Sequence, residues 1–316
     1  SSHNSPSRVN RAWGELPMLV QAQEYARPGY QYTCYDALYR TTRQHVGGCL
    51  WHSFDHQRGY HPDPFYGGIM DVFRQPKYSY YMFCAQRPAE PNPNLLSENG
   101  PMVYIANAMT PFSPSDVTVY SNCEEVRLTY CLNGKQYVYR KPAGGEGMPS
   151  PGITFSHVWD VMHDKDLSRS GKQAESFLLA EGLENGKVVA THKVEPARRP
   201  TKLILWADTE NVEMTADGSD LVTVVAAVAD GKGNIKRLNN YWVKFEIEGP
   251  GELVASESTF TNPRPVQWGT APRACSGFNP RGTDKSKGVR RIPGQAYAAF
   301  GRTCYPNPSV GTSADS

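Results

Sequence analysis

Two Asn-Gly dipeptides, Asn133-Gly134 and Asn185-Gly186, each lie between runs of apolar residues, and they constrain this chain more than any other feature. A two-residue hairpin turn needs positive φ at both positions, which Asn and Gly tolerate, and its twist matches that of two antiparallel strands. Before the first dipeptide, Val126, Leu128, Tyr130 and Leu132 alternate with polar neighbours; after it come Tyr137, Val138 and Tyr139. Around the second, Phe177-Leu178-Leu179-Ala180 faces Val188-Val189-Ala190. With Met102–Ile105 and Val117–Tyr120 as further short strands, residues 101–198 read as a β-sandwich of immunoglobulin type.

A similar pattern follows. Lys202–Trp206, Leu221–Val228 and Tyr241–Ile247 are strand-like, and the turns Ala216–Asp220 and Asp230–Asn234 separate them. Residues 199–272 are therefore expected to form a second sandwich, an incomplete one. The stretch 273–316 has no Leu and only Val289, Ile292 and Val310 as branched aliphatics, so it reads as an irregular tail.

Ahead of the sandwiches the period is helical. Residues 5–28 carry helix signals, with Pro17 able to start a run through Leu19, Gln23 and Ala26, and 35–43 fit another helix. Gly47–His56 then reads as a short buried strand ending abruptly in Trp51, His52, Asp55 and His56, and Pro76 opens a helix through Tyr80, Met82 and Phe83. Helix, strand, loop, helix is one segment of a parallel sheet, and an apolar strand opening into convergent polar groups is how an α/β barrel presents its active face. Residues 87–100, with Pro88, Pro91 and Pro93, are a stiff linker.

Composition narrows the function. The 316 residues hold 33 basic and 31 acidic side chains, a net charge of +2, so no field favours nucleic acid. No apolar run is long enough to span a membrane, and residues 1–7 do not resemble a signal peptide. Cys34, Cys49, Cys84, Cys123, Cys131, Cys275 and Cys304 form no CxxC pair and are odd in number, which indicates neither a zinc site nor a complete disulfide framework. His52 and His56 are four apart, but a HExxH site needs a helix and a Glu after the first His, and Ser53-Phe54 supplies neither. No metal and no cofactor is expected.

Several stretches resemble glycoside hydrolase family 2, the β-galactosidase and β-glucuronidase group. GGCLWHSFDHQ at 47–57 resembles the family's last barrel strand, YGGIMDVFRQPKYSYYMF at 66–83 the segment after it, and 1–25 the stretch behind its nucleophilic glutamate. VTVYSNCEEVRL and ADGSDLVTVVAAVADGKGNIKRLNNYWVKFEIEG resemble its accessory sandwiches. The resemblance covers roughly residues 1–270.

It implies a multidomain chain, α/β followed by all-β: residues 1–86 as the incomplete C-terminal part of a (β/α)8 catalytic barrel, then two immunoglobulin-like β-sandwiches. It implies retaining exo-hydrolysis of terminal β-glycosidic bonds, pointing to a β-galactosidase, by one carboxylic acid and one carboxylate nucleophile. Both glutamates are expected upstream of residue 1, so this stretch alone is expected to be inactive. Trp51 matches the tryptophan that floors the sugar pocket. Asp55 and His56 either bond sugar hydroxyls or form a structural network. His52 stands where an acidic residue is usual in the family, and His3 and Asn4 either touch the pocket rim or cap a helix. The expected partner is a β-galactoside-type carbohydrate, in the periplasm or outside the cell, and a homo-oligomer is compatible with this. The competing reading is a non-catalytic carbohydrate-binding or scaffold sandwich, whose mark would be an exposed aromatic strip from Tyr137, Tyr139 and Trp159.

Overall fold

A computed structural model of the chain describes residues 7–26, 36, 40, 44, 50, 52–56, 58, 64–72, 74–95, 99–144, 147–160, 162, 175–208, 213, 215, 220–237, 245, 251–258, 267–268 and 295–302. These fall into two units, the first comprising Ser1–Lys202, Ala229–Leu238 and Phe260–Pro265, the second Leu203–Val228, Asn239–Thr259 and Val266–Ser316.

In the first unit a 3-10 turn, Arg11–Trp13, leads into α1 (Glu15–Ala26). α2 is Tyr78–Cys84. Seven strands follow: β1 (Val103–Ala106), β2 (Val117–Ser121), β3 (Glu125–Leu132), β4 (Lys135–Pro142), β5 (Ile153–Phe155), β6 (Ser176–Glu184) and β7 (Lys187–Val194). They form one sheet in the order β1-β2-β5 and another in the order β4-β3-β6-β7, with antiparallel ladders throughout. Both expected hairpin turns form: φ is 51° at Asn133 and 81° at Gly134, and 50° at Asn185 and 75° at Gly186. The two sheets enclose one core. Val103, Ile105, Val117, Val119, Ile153 and Phe155 come from the first, and Val126, Leu128, Tyr130, Leu132, Leu178 and Ala180 from the second.

The three-stranded sheet is covered on its other side too. Ala106 and Tyr120, on its reverse face, join a second core with Met18, Ala22 and Tyr25 of α1 and with Tyr78 and Met82 of α2. This explains why all four residues of β1, Val103–Ala106, are apolar, since a strand buried on both faces loses the period of two. Glu15, at the start of α1, clasps the two layers together. Its carboxylate accepts bonds from Tyr78 Oη (2.9 Å), the Ala108 N–H (2.6 Å) and Ser113 Oγ.

A stack of rings crosses the same boundary. Tyr81 of α2 lies on Tyr104 of β1 with ring centroids 3.4 Å apart, and Tyr104 lies on His192 of β7 at 4.7 Å. His192 Nδ1 accepts the Ile105 N–H at 2.9 Å, so the ring must be neutral to hold the bond. Burial pushes its pKa down from the ordinary 6.5 to about 4. Because the folded value lies below the unfolded one, this contribution is complete above about pH 6.5 and is lost as pH falls towards 4. We expect the unfolding free energy of the first unit to drop across that window, by at most about 1.4 kcal/mol per pH unit from this group. Replacing His192 by Asn should flatten the dependence between pH 6.5 and 4; an unchanged slope in urea titrations would show that another group governs it.

The second unit contains a five-stranded sheet in the order β11-β10-β12-β9-β8, built from β8 (Pro200–Asp208), β9 (Leu221–Asp230), β10 (Gly251–Ser258), β11 (Gln267–Trp268) and β12 (Gln295–Arg302). Here the structure corrects the reading of 273–316 as irregular throughout. β12 runs antiparallel to both β10 and β9 and lies between them. Its sequence, QAYAAFGR, pairs through backbone groups and needs no branched aliphatic to do so. Among the described residues the second unit shows this one sheet.

Other local expectations shift. Ser7 is in a 3-10 turn but residues 8–10 are not helical, and there the Val9 N–H bonds to Tyr66 O at 3.0 Å. Pro17 falls in the first turn of α1, where its missing N–H has no intrahelical partner to lose. β5, Ile153–Phe155, is too short to announce itself in the sequence. Of the helix expected at 35–43, only Asp36 and Arg40 lie within the described residues; they form an i,i+4 ion pair of 2.8 Å. The strand expected at Tyr241–Ile247 lies outside them, apart from Phe245.

Candidate functional site

The polar stretch that ends Gly47–His56 is fixed by residues 65–70. The Asp55 N–H bonds to Met70 O (2.9 Å), and the Ile69 and Met70 N–H groups both bond to Ser53 O (3.0 and 3.1 Å). Phe65 and His56 exchange backbone bonds of 2.8 and 3.3 Å. Where a continuous strand was expected, the described residues pair as single bridges, Phe54 with Met70 in parallel and His56 with Phe65 antiparallel. Gly68 makes this approach feasible. A Cβ there would lie 2.3 Å from the Phe54 carbonyl carbon and 2.4 Å from Asp55 N, so only a residue without a side chain fits.

Beneath the stretch lies a buried ion pair. Lys77 Nζ is 2.7 Å from Asp55 Oδ1, and the two side chains are 0% and 3% exposed. The Gly68 N–H donates to the same carboxylate oxygen at 3.0 Å, and Lys77 also donates to Tyr66 O at 3.1 Å. Burial pushes Asp55 up to about 7 despite the Lys77 ammonium and the Gly68 N–H, which oppose the rise. Burial likewise lowers Lys77, against the Asp55 carboxylate. The pair is a fastener between the stretch carrying the candidate residues and the start of α2, and it directs the Asp55 carboxylate into the interior.

Gln21 of α1 completes this frame. Fully buried, it donates to Ser7 O (2.9 Å) and Gly68 O (3.1 Å) and accepts from Ser79 Oγ (2.8 Å). One amide therefore holds three segments: the chain before α1, the Gly67-Gly68 turn and α2. Ser7, Gly68 and Ser79 are themselves buried, and a polar side chain is tolerated in a core when its bonds are satisfied in this way.

On the outer side, His52 and His56 are half-buried and pack ring to ring, with centroids 4.2 Å apart. Both rest on Phe65, at 5.2 and 5.5 Å. The structure thus brings His52, Asp55 and His56 into one small region, with Asp55 facing inward and the two imidazoles facing Phe65. Trp51, His3 and Asn4 lie outside the described residues.

Sequence reasoning missed Lys77, Gln21 and Arg8. Lys77 had a signal, being the only charged residue in PKYSYYMF, a run that otherwise reads as buried. Gln21 and Arg8 had none, because their roles depend on contacts with residues more than forty positions away.

The aromatic strip that would mark a binding sandwich does not assemble. Trp159 is buried in the first core, with its Nε1 donating to Pro114 O at 3.1 Å, and Tyr139 packs against that core. Tyr137 alone of the three is exposed.

Comparison with known proteins agrees with this architecture. Residues 205–275 match the family model described as glycoside hydrolase family 2 C-terminal domain 5. The chain is 33% identical over 249 residues to a β-galactosidase of Thermoanaerobacter pseudethanolicus, covering 76% of this chain and 30% of that protein. It is 28% identical over 183 residues to a β-glucuronidase of Formosa agariphila, covering 58% of this chain and 16% of that one. Among solved structures, a β-glycosidase from Bacteroides vulgatus shares the fold with a TM-score of 0.53 at 19% identity, over 79% of this chain and 27% of the other. The chain thus spans less than a third of the length of these relatives. From the family model and the relatives together, the chain is identified as part of a glycoside hydrolase family 2 protein.

Proposed function

We propose that the protein in which this chain lies is a retaining exo-β-glycosidase of β-galactosidase type, and that this chain supplies the sugar-binding end of its site. The observation that carries the reading is the buried Asp55–Lys77 pair, which fixes the stretch 52–56 against 65–70. A platform for sugar must be rigid, since catalysis falls steeply when a bound substrate is misplaced. In this reading Trp51, next to the fixed stretch, stacks the apolar face of the pyranose. His52 and His56 border the pocket, His3 and Asn4 lie on its rim, and Asp55 acts as a positioning residue. The acid and the nucleophile that break the bond are two glutamates outside this chain. Residues 1–86 complete a (β/α)8 barrel, and the two β regions are immunoglobulin-like sandwiches. The relatives named β-galactosidase and β-glucuronidase support a glycosidase over a binding module, as does the absence of the Tyr137-Tyr139-Trp159 strip. The protein works in the periplasm or outside the cell, where polysaccharide substrates are found.

The test is Trp51→Ala in the full-length protein with nitrophenyl β-galactoside as substrate. Losing an apolar face worth about 1.5–3 kcal/mol on burial corresponds to roughly a 10–100-fold fall in kcat/KM. An unchanged kcat/KM in a folded variant removes Trp51 from the pocket.

A further inference from the structure

Four cationic or titratable side chains, those of Arg8, Arg58, His52 and His56, gather around Phe65. Arg8 is pinned by its neighbours: the Ser7 carbonyl accepts Gln21 Nε2 at 2.9 Å, and the Val9 N–H reaches Tyr66 O at 3.0 Å. Its guanidinium is therefore delivered to a fixed place, with Cζ 5.2 Å from the centroid of the Phe65 ring. The same ring takes the Arg58 guanidinium at 5.8 Å and carries His52 and His56. Two guanidinium groups and two imidazoles thus converge on one phenyl ring. The carboxylate nearest in sequence, Asp55, turns the other way and is taken by Lys77. Among the described residues Arg8 makes no ion pair, and its Nε is buried without a hydrogen-bond partner. A ring face offers a guanidinium electrostatic attraction but no acceptor for its N–H groups. Arginine presents those groups as a planar fork, the geometry that binds a carboxylate or another oxyanion through two bonds.

We propose that Arg8 is a specificity residue that binds an oxyanion on the glycan, a carboxylate or a sulfate ester, so that the preferred substrates are acidic galactoside-type sugars. The proposal rests on the reading of 52–56 as the edge of a sugar pocket. Arg8 is placed to hold the anion while Phe65 and the two imidazoles form the wall behind it, and Arg58 adds positive potential on the same ring.

The experiment uses the full-length protein with three substrates: nitrophenyl β-galactoside, nitrophenyl β-galacturonide and nitrophenyl 6-O-sulfo-β-galactoside. Wild type should prefer one of the acidic substrates, and which one distinguishes a carboxylate site from a sulfate site. Arg8→Gln should lower the acidic-to-neutral ratio of kcat/KM roughly 10–100-fold, the loss of one charge-assisted hydrogen-bonding group. Arg8→Lys should restore part of it, since charge without the fork retains the attraction. The proposal is overturned if Arg8→Gln changes all three substrates by the same factor, or if wild type favours the neutral one. Calorimetric binding of methyl β-galacturonide and methyl 6-O-sulfo-β-galactoside separates this from the catalytic reading. Arg8-dependent binding with no turnover sustains the oxyanion site while the hydrolase assignment falls. No binding and no turnover sinks both.

Discussion

Lys77→Met should destabilise the first unit by about 3–5 kcal/mol, the cost of leaving one member of a buried ion pair without its partner. Lys77 is fully enclosed and Asp55 nearly so, with the ammonium 2.7 Å from the carboxylate. Methionine matches the length of the lysine stem and fills the space, so the loss reports the stranded Asp55 charge rather than a cavity. Among the described residues the remaining carboxylate keeps only the Gly68 N–H. Its escape is to take up a proton, and burial already raises its pKa to about 7 while Lys77 is present. A folded value above the unfolded one means stability falls as pH rises through the window between them. The deficit of Lys77→Met should therefore be largest above pH 7 and shrink towards pH 5. Urea unfolding at both pH values checks this. The double change Asp55→Leu with Lys77→Met should recover much of the loss, because an apolar pair of similar volume often replaces a buried ion pair without penalty. A single variant as stable as wild type at pH 8 would mean that the pair contributes nothing to the frame.

Gly68→Ala is expected to be worse than its size suggests. Overpacking usually costs about 1–3 kcal/mol, because neighbouring side chains can give way. At Gly68 the obstruction is backbone: the new methyl would sit 2.3 Å from the Phe54 carbonyl carbon and 2.5 Å from its Cα. Relief requires residues 53–55 to separate from 67–70, which would break the Ser53, Asp55 and Met70 backbone bonds and draw the Gly68 N–H away from Asp55. The effect should reach or exceed the top of that range and strip hydrogen-exchange protection from the Asp55 and Met70 amides. Gly134→Ala provides the contrast. A Cβ there meets nothing within 4 Å, and only the positive φ of 81° opposes it, a strain of order 1–3 kcal/mol confined to the hairpin. Equal effects of the two substitutions would show that Gly68 is chosen for its backbone angles and not for close approach.

What the sequence made legible is the part governed by local chemistry. Asn133-Gly134 and Asn185-Gly186 determine their turns through backbone angles alone, and both hairpins appear with the expected strands on either side. Alternation located β3, whose Val126, Leu128, Tyr130 and Leu132 all enter the first core. It was less informative for β2, where helices cover the second face. β12 went unrecognised because alanine-rich strands carry little side-chain signal and are held by the ladders on both sides. The candidate site was legible as a group of residue types, His52, Asp55 and His56, within ten positions of one another. Their orientation was not. That depends on Lys77 taking the carboxylate and on Phe65 receiving the imidazoles, contacts made between segments that the sequence alone does not bring together.

The central claim is that this chain is the sugar-binding end of a β-glycosidase whose bond-breaking carboxylates lie elsewhere in the protein. The most direct measurement compares hydrolysis of neutral and acidic nitrophenyl β-glycosides by the full-length protein and by the 316-residue chain under identical conditions. The account predicts turnover by the full-length protein and none by the chain. Turnover by the isolated chain, or a folded full-length protein inert on every β-glycoside, would contradict it.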